Sequence, residues 1–68
     1  MTLVLRLNRE FRRWEIIVTY DTVYKLTGLG FTPELTFDGH TFYYPLYFPV
    51  GLFIVVAEQA GFSVEISI

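Results

Sequence analysis

The sequence predicts a single α+β domain spanning residues 1–68, a small, mainly antiparallel sheet of four to five strands with two helices on one face. Short runs in which apolar and polar residues alternate indicate half-buried strands. Two other segments carry apolar residues at helical spacing. Each of these helices ends in a Gly-Phe pair, Gly30-Phe31 or Gly61-Phe62, and a strand follows each time.

Length and composition indicate one domain that depends on its aromatic residues. A chain of 68 residues buries only about 60% of its unfolded surface. There is no cysteine to form a disulfide or a thiolate metal site, which suits a reducing compartment such as the cytoplasm. Aromatic residues make up 19% of the chain, and each removes about 150 to 250 Å² from water when buried.

Neither a secretory signal nor a membrane span is expected. The first seven residues alternate and are soon followed by Arg9. Residues 41–57 carry no charge, but Pro45 and Pro49 interrupt them. The remaining helix is about a dozen residues long, short of the roughly 20 that a spanning helix needs.

Two strands are predicted at the start of the chain. Residues 2–8 alternate, with the leucines on one face. A polar loop, residues 8–13, leads to a second alternating run at 14–20. The inward face of that run is expected to hold Trp14, Ile16, Val18 and Tyr20.

A short helix should follow the second strand. Asp21 is the expected N-cap, because its carboxylate can accept from free amide hydrogens of the first turn. Gly28 or Gly30 is expected to supply the left-handed closing residue. The predicted apolar stripe consists of Val23, Leu26 and Thr27.

Residues 34–48 read as a β-hairpin around Asp38-Gly39. A two-residue Asp-Gly loop favours a type I′ turn. In that register Leu35 pairs with Phe42 and Glu34 with Tyr43. One face then carries Leu35, Phe42 and Tyr44.

A second helix should begin at Pro49 and end at Gly61. Phe53 and Ala57 fall on its inner face, whereas Leu52 and Val55 point outward. The last strand, residues 62–68, alternates. Its inward residues are expected to be Phe62, Val64, Ile66 and Ile68.

The predicted element order is β, β, α, β, β, α, β. From Trp14 onward this matches the β-α-β-β-α-β order of a ferredoxin-like split sheet, preceded by an N-terminal strand. Such a sheet would place the first or the second strand beside the last one. Arg6 or Glu15 would then meet Glu65 or Ser63 on the open face.

No catalytic residues, metal ligands or cofactor site are predicted. His40 is the one histidine, and no nucleophile or orienting group accompanies it in the sequence. The carboxylates are scattered singly, without ligand spacing. Gly28-Leu29-Gly30 follows a helix, whereas a phosphate loop precedes one. The chain is therefore expected not to be an enzyme.

One segment suggests single-stranded nucleic acid as an alternative partner. Arg9, Arg12 and Arg13 are three of the five basic residues, and Trp14 follows them. Arginines on phosphates and an aromatic ring on bases are typical of small sheet modules that bind single strands. A solvated loop whose arginines offset Glu10 and Glu15 explains the same pattern, and the net charge of −2 favours that explanation.

The surplus of apolar residues predicts a protein-binding module. Hydrophobic residues make up 53% of the chain and charged residues only 18%. A sheet covered on one face cannot bury all of them, so an exposed, tyrosine-rich sheet face is expected to contact another protein or a second copy. The module would be a small adaptor, an inhibitor or a homo-oligomer. Its predicted contact residues are Tyr43, Tyr47, Leu52 and Val55.

Overall fold

The computed structural model describes residues 1–68 and contains a five-stranded sheet and two helices. The elements are β1 (Thr2–Asn8), β2 (Arg13–Ile17), α1 (Tyr20–Gly28), β3 (Glu34–Leu35), β4 (Phe42–Pro45), α2 (Val50–Gln59) and β5 (Ser63–Ser67). The sheet order is β3-β4-β2-β1-β5. β1 and β5 are parallel, and the other neighbouring strands are antiparallel. The α+β fold with a small sheet and two helices is confirmed.

One face of the sheet packs against both helices. Leu5, Ile16 and Phe42 are cross-strand neighbours and therefore share this face. A single buried cluster joins sheet and helices, and it comprises Leu3, Leu5, Ile16, Leu26, Tyr44, Phe53 and Ala57. We call the opposite side, which bears the alternate residues of each strand, the open face.

The hairpin register is as predicted, but the turn is different. Leu35 pairs with Phe42 and Glu34 with Tyr43. The Thr36 N–H donates to the Thr41 carbonyl at 2.9 Å, so the loop holds the four residues 37–40 rather than two. Inside it, the Gly39 N–H donates to the Thr36 carbonyl at 2.9 Å. Gly39 alone has a positive φ here, at 78°, whereas a type I′ turn needs two such residues. The Asp38 carboxylate stabilises the longer turn by accepting from the His40 N–H at 3.1 Å.

The start of α1 corrects two predictions. β2 ends at Ile17, and Tyr20 is the first residue of the helix rather than the last of a strand. The N-cap is Thr19, whose hydroxyl accepts from the Thr22 N–H at 3.3 Å. Asp21 lies inside the first turn, where its charge favours the helix dipole.

The buried side of α1 is shifted by one position from the predicted stripe. Leu26 is fully buried as expected, and Val23 is half-buried. Thr27 is exposed, and Thr22 takes its place in the interior. The Thr22 hydroxyl is compatible with burial because it hydrogen-bonds to Thr19.

Both helices end in the same backbone motif, as the Gly-Phe pairs predict. Gly30 and Gly61 have φ values of 91° and 96°. The Phe31 N–H donates to the Leu26 carbonyl at 2.9 Å, and the Phe62 N–H donates to the Ala57 carbonyl at 3.0 Å. These are Schellman motifs, which return each chain toward the sheet.

The last two elements match their predicted bounds within a residue or two. On α2, Phe53 and Ala57 are fully buried. On β5, Val64 is half-buried, but Ile66 and Ile68 are 41% and 82% exposed. Ile66 lies on the helix-covered face beside Leu5, as predicted, but it is not buried, because β5 lies at the sheet edge and has one neighbouring strand. Ile68 follows the end of β5 and is exposed, so its predicted burial is wrong.

β1 lies between β2 and β5, which decides where Arg6 points. Arg6 is directly opposite Glu15 on β2, and its guanidinium lies 3.5 Å from that carboxylate. It therefore meets Glu15 rather than Glu65 or Ser63. Neither helix has the length and apolar character needed to cross a membrane.

Candidate functional site

Large apolar side chains are exposed over much of this small domain. Several lie at turns, such as Phe11 between β1 and β2 and Phe37 in the β3–β4 hairpin. Others lie on helices and on the edge strand. The exposed set is Met1, Phe11, Ile17, Tyr20, Tyr24, Leu35, Phe37, Leu46, Tyr47, Leu52, Val55, Ile66 and Ile68. This exposed apolar set is the candidate functional surface of the chain.

Three of the four predicted protein-contact residues lie on or just before α2. Tyr47, in the turn after β4, is 88% exposed. Leu52 and Val55 are 57% and 52% exposed and sit one helical turn apart, so they are neighbours on the outer side. We call these three exposed residues the α2 surface, in which Leu52 and Val55 lie on the helix and Tyr47 lies in the turn that precedes it. The only charged residue of the helix is Glu58.

The fourth predicted residue, Tyr43, lies on the other side of the molecule. It pairs with Glu15 and Glu34 on the open face, whereas its neighbour Tyr44 points to the helices. Tyr43 is half-buried, with the Arg13 guanidinium 5.0 Å from its ring centroid. The neighbouring Glu34 carboxylate raises the pKa of the Tyr43 hydroxyl. The structure therefore separates Tyr43 from the α2 surface.

The open face is charged rather than aromatic. Strand pairing places one row of residues across the whole sheet, consisting of Glu34, Tyr43, Glu15, Arg6 and Ser67. Trp14, Phe42 and Tyr44 all lie on the helix-covered face. The expected tyrosine-rich sheet face is thus reduced to a single tyrosine, because the aromatic residues of β2 and β4 mainly occupy inward positions.

Glu15 is the centre of an ion-pair network on the open face. Its carboxylate accepts from Arg13 at 2.9 Å and from Asn8 at 3.0 Å, with the weaker Arg6 contact on the other side. Burial opposes ionisation and raises its pKa, but the Asn8 and Arg13 hydrogen bonds and both arginine charges outweigh this and lower the pKa of Glu15 below its ordinary value. Glu15 therefore stays ionised and holds Arg13 in place.

The arginine segment lies partly in the β1–β2 loop and partly on β2. Arg9 and Arg12 are exposed in the β1–β2 loop, where Arg12 has a φ of 55°. Arg13 is bound to Glu15 and stacks between the Phe11 and Tyr43 rings. Trp14 packs against the core on the helix side. Arg13 and the indole of Trp14 therefore lie on opposite faces of the sheet, whereas Arg9 and Arg12 lie beside Leu7 at the end of β1.

A cavity of about 330 Å³ lies beside the open face, between β2 and the hairpin turn. Arg6, Glu15 and His40 supply its polar groups, and Ile17 and Tyr20 contribute apolar walls. The hydrogen bond from the Thr36 hydroxyl lowers the pKa of the Asp38 carboxyl most, and the hydrogen bond from the His40 N–H lowers it further. No nearby His, Asp and Glu residues form a group of three that could hold a metal ion. The cavity thus offers a shallow, mixed surface without a hydrogen-bonded nucleophile and base.

Two features of the sheet were not identified from the sequence. One is the network in which Arg13 joins Glu15 to the Tyr43 and Phe11 rings. Alternation in the sequence places Arg6, Arg13 and Glu15 on the outward face of the first two strands. Which of them contact each other depends on the strand register, which alternation does not give. The other is the free edge of β5, which depends on strand order.

No family model, curated protein or solved structure matches this chain. The side chains on its surface are therefore the basis for inferring a function.

Proposed function

We propose that this chain is a non-enzymatic protein-binding module that docks on its partner through the α2 surface. The observation that carries the proposal is the exposure of Tyr47, Leu52 and Val55 on a segment with no charge between residues 41 and 57. Apolar surface gains about 25 cal/mol per Å² when it leaves water. A partner with an apolar groove satisfies this requirement, and an adaptor or inhibitor role fits a domain of this size.

The chemistry of the α2 surface resembles the centre of a protein interface. Such centres are depleted in charge and enriched in tyrosine, which buries a large area and keeps a hydrogen-bonding hydroxyl. Tyr47 supplies the aromatic anchor, and Leu52 and Val55 supply aliphatic area on the outer side of α2. Tyr43 contributes less, because Arg13 already covers its ring.

We interpret the fold as a ferredoxin-like split sheet with one strand added. Setting β1 aside leaves the element order β2, α1, β3, β4, α2, β5 and the spatial order β3-β4-β2-β5. This is the arrangement of two interleaved β-α-β units. The lack of cysteine supports work in a reducing compartment such as the cytoplasm.

Site-specific crosslinking tests the docking surface. A photoreactive amino acid at position 52 should form adducts with a partner in cells, whereas one at Tyr24, which is 78% exposed on α1, should not. The double variant Leu52→Ser, Val55→Ser should lose the same partner without a lower melting temperature. Equal crosslinking from both positions, or capture that survives the double substitution, would rule out this surface.

Single-stranded nucleic acid is the second candidate partner, favoured by the exposure of Arg9 and Arg12. If both contact phosphates, log affinity should fall with log salt at a slope of about −0.7 per phosphate. Arg9→Ala and Arg12→Ala should each flatten the slope by about that amount, whereas Lys25→Ala on α1 should not. A chain that binds no single strand at low salt excludes this candidate.

A further inference from the structure

β5 forms one edge of the sheet, and that edge lacks the usual protection against pairing. Natural sheets blunt their edges with short strands, proline, lysine or bulges. The opposite edge follows this rule, because β3 has only 2 residues and comes directly after Pro33. β5 has 5 residues, contains neither lysine nor proline, and carries a single charged residue, Glu65. Its free backbone groups are therefore available to another strand.

The backbone of β5 shows which residues face the free edge. The Ser63 N–H donates to the Met1 carbonyl at 2.9 Å, and β5 runs parallel to β1. Successive residues of a strand direct their hydrogen-bonding groups to alternate sides. The N–H and C=O groups of Val64 and Ile66 therefore point away from β1, as do those of Ile68 if the strand continues.

We propose that β5 pairs antiparallel with β5 of a second copy of this chain, with the two Ile66 residues facing each other across a two-fold axis. Val64 then lies opposite Ile68 of the second copy, and Glu65 lies opposite Ser67. Every paired backbone group in this register belongs to a residue whose N–H and C=O point to the free edge. A shift by one residue would set residues whose N–H and C=O point to the free edge opposite residues whose N–H and C=O point to β1, so the bonds could not form.

Charge complementarity selects this register among those that the backbone allows. Ser67 lies beside Arg6 in the β1–β5 pairing, so Glu65 of one copy looks across Ser67 of the other to its Arg6. The separation is two strand spacings, about 10 Å, which these two long side chains can bridge over a serine. A register centred on Glu65 would set two carboxylates opposite each other, which is unfavourable. A register centred on Val64 would place Glu65 opposite Ser63, away from Arg6.

Within one chain, neither Arg6 nor Glu65 is held in a close ion pair. The Arg6 side chain is 62% exposed, and its 3.5 Å contact with Glu15 is longer than the 2.9 Å contact that Arg13 makes. Glu65 is exposed and forms no salt bridge. On the other side of the strand, pairing would cover Ile66 and Ile68, the two isoleucines left exposed at this edge. The result is a continuous sheet through two copies.

Ile66→Pro tests the backbone pairing. The Ile66 N–H faces the free edge, so proline leaves the β1–β5 hydrogen bonds intact and removes both central bonds of the dimer. We expect at least a tenfold weaker dimer by sedimentation equilibrium, with an unchanged circular dichroism spectrum. This dimer does not depend on the proposed docking surface on α2, so Leu52→Ser should leave the dimer mass unchanged. A monomeric wild-type chain at every concentration would overturn it.

Engineered cysteines test the register and decide the matter if the proline variant unfolds. The natural chain has no cysteine, so each disulfide formed is interpretable. Ile66→Cys should give a disulfide-linked homodimer on mild oxidation, because facing residues are about 5.5 Å apart at Cα. Val64→Cys should not, whereas a mixture of Glu65→Cys and Ser67→Cys chains should link to each other. Equal crosslinking at positions 64 and 66 would contradict the proposed pairing.

Discussion

Gly39 has a φ of 78° at the tip of the β3–β4 hairpin, with open space where a side chain would sit. Backbone strain is therefore the main effect of a substitution here. Gly39→Val should lower the free energy of unfolding by about 1 to 2 kcal/mol, because a β-branched residue resists positive φ. Gly39→Asn should cost less, since asparagine tolerates this region. Thermal denaturation of both variants measures the difference, and equal melting temperatures for valine and wild type would contradict it.

Glu15 should make stability depend on acid pH. Its pKa is depressed in the folded state, so its contribution is fully present above the ordinary value of 4.5 and is lost as the pH falls toward the folded pKa. Glu15→Gln should cost about 1 to 2 kcal/mol at neutral pH, because hydrogen bonds to a charged group are replaced by neutral ones. The variant should also show a shallower loss of stability below pH 4.5.

Urea denaturation from pH 7 to pH 3 checks this prediction. Glu10→Gln is the matched control, because Glu10 is exposed in the β1–β2 loop and forms no ion pair. Parallel pH profiles for wild type and Glu15→Gln would show that the ion-pair network does not stabilise the fold.

Single residues explain why the open face was only partly predictable. Alternation shows that Arg6, Arg13 and Glu15 point away from the core, which is a local property. Which of them meet depends on the β1–β2 and β2–β4 registers, set by a four-residue loop and by a long connection. Tyr43 and Tyr44 likewise separate to opposite faces by alternation, but strand order decides which face the helices cover.

At the scale of elements, helix ends were more predictable than helix starts. A left-handed closing residue is almost always glycine, so Gly30 and Gly61 mark both ends in the sequence. Several residue types can cap a start, and 19–22 contains three of them, Thr19, Asp21 and Thr22. Thr19 caps because the chain leaves the sheet after Ile17, a boundary fixed by pairing with β1.

The α1 cap gives a direct test of this assignment. Thr19→Ala should reduce the free energy of unfolding by about 1 kcal/mol, because the Thr22 N–H loses its acceptor. Asp21→Ala removes only a favourable charge in the first turn and should cost about 0.3 to 1 kcal/mol, less at high salt. Chemical denaturation at low and high salt separates them. A larger cost for Asp21→Ala that persists in salt would make Asp21 the cap.

At the scale of the whole molecule, the buried core is small and is extended by a cluster of aromatic rings. Only 9 of 68 residues are buried. The Phe53 ring lies 5.4 Å from both Phe31 and Phe48 and 5.7 Å from Tyr44, centroid to centroid. Tyr44 also donates its hydroxyl to the Phe31 carbonyl at 2.6 Å, and burial raises its pKa. One aromatic cluster thus joins β4, α2 and the end of α1.

The element inventory followed from the sequence because alternation, helical spacing and glycine positions are local. Two other features did not follow from the sequence. They are the insertion of β1 between β2 and β5 and the separation of Tyr43 from the α2 surface. Both depend on how distant strands pair, which no local pattern specifies. The apolar surplus predicted that hydrophobic side chains would remain exposed, and Leu52 and Val55 do so.

Phe53 and Leu52 are adjacent on α2 and should behave in opposite ways. A domain of this length has a net stability of about 3 to 10 kcal/mol, and removing a buried phenylalanine ring costs about 3 to 5 kcal/mol. Phe53→Ser should therefore unfold much of the population at 37 °C. Leu52→Ser changes a side chain that is 57% exposed, so its effect on the free energy of unfolding should stay within about 0.5 kcal/mol. Circular dichroism melts of the two variants make the comparison. A Leu52→Ser chain that unfolds as readily as Phe53→Ser would place Leu52 in the core and leave the α2 surface without its central residue.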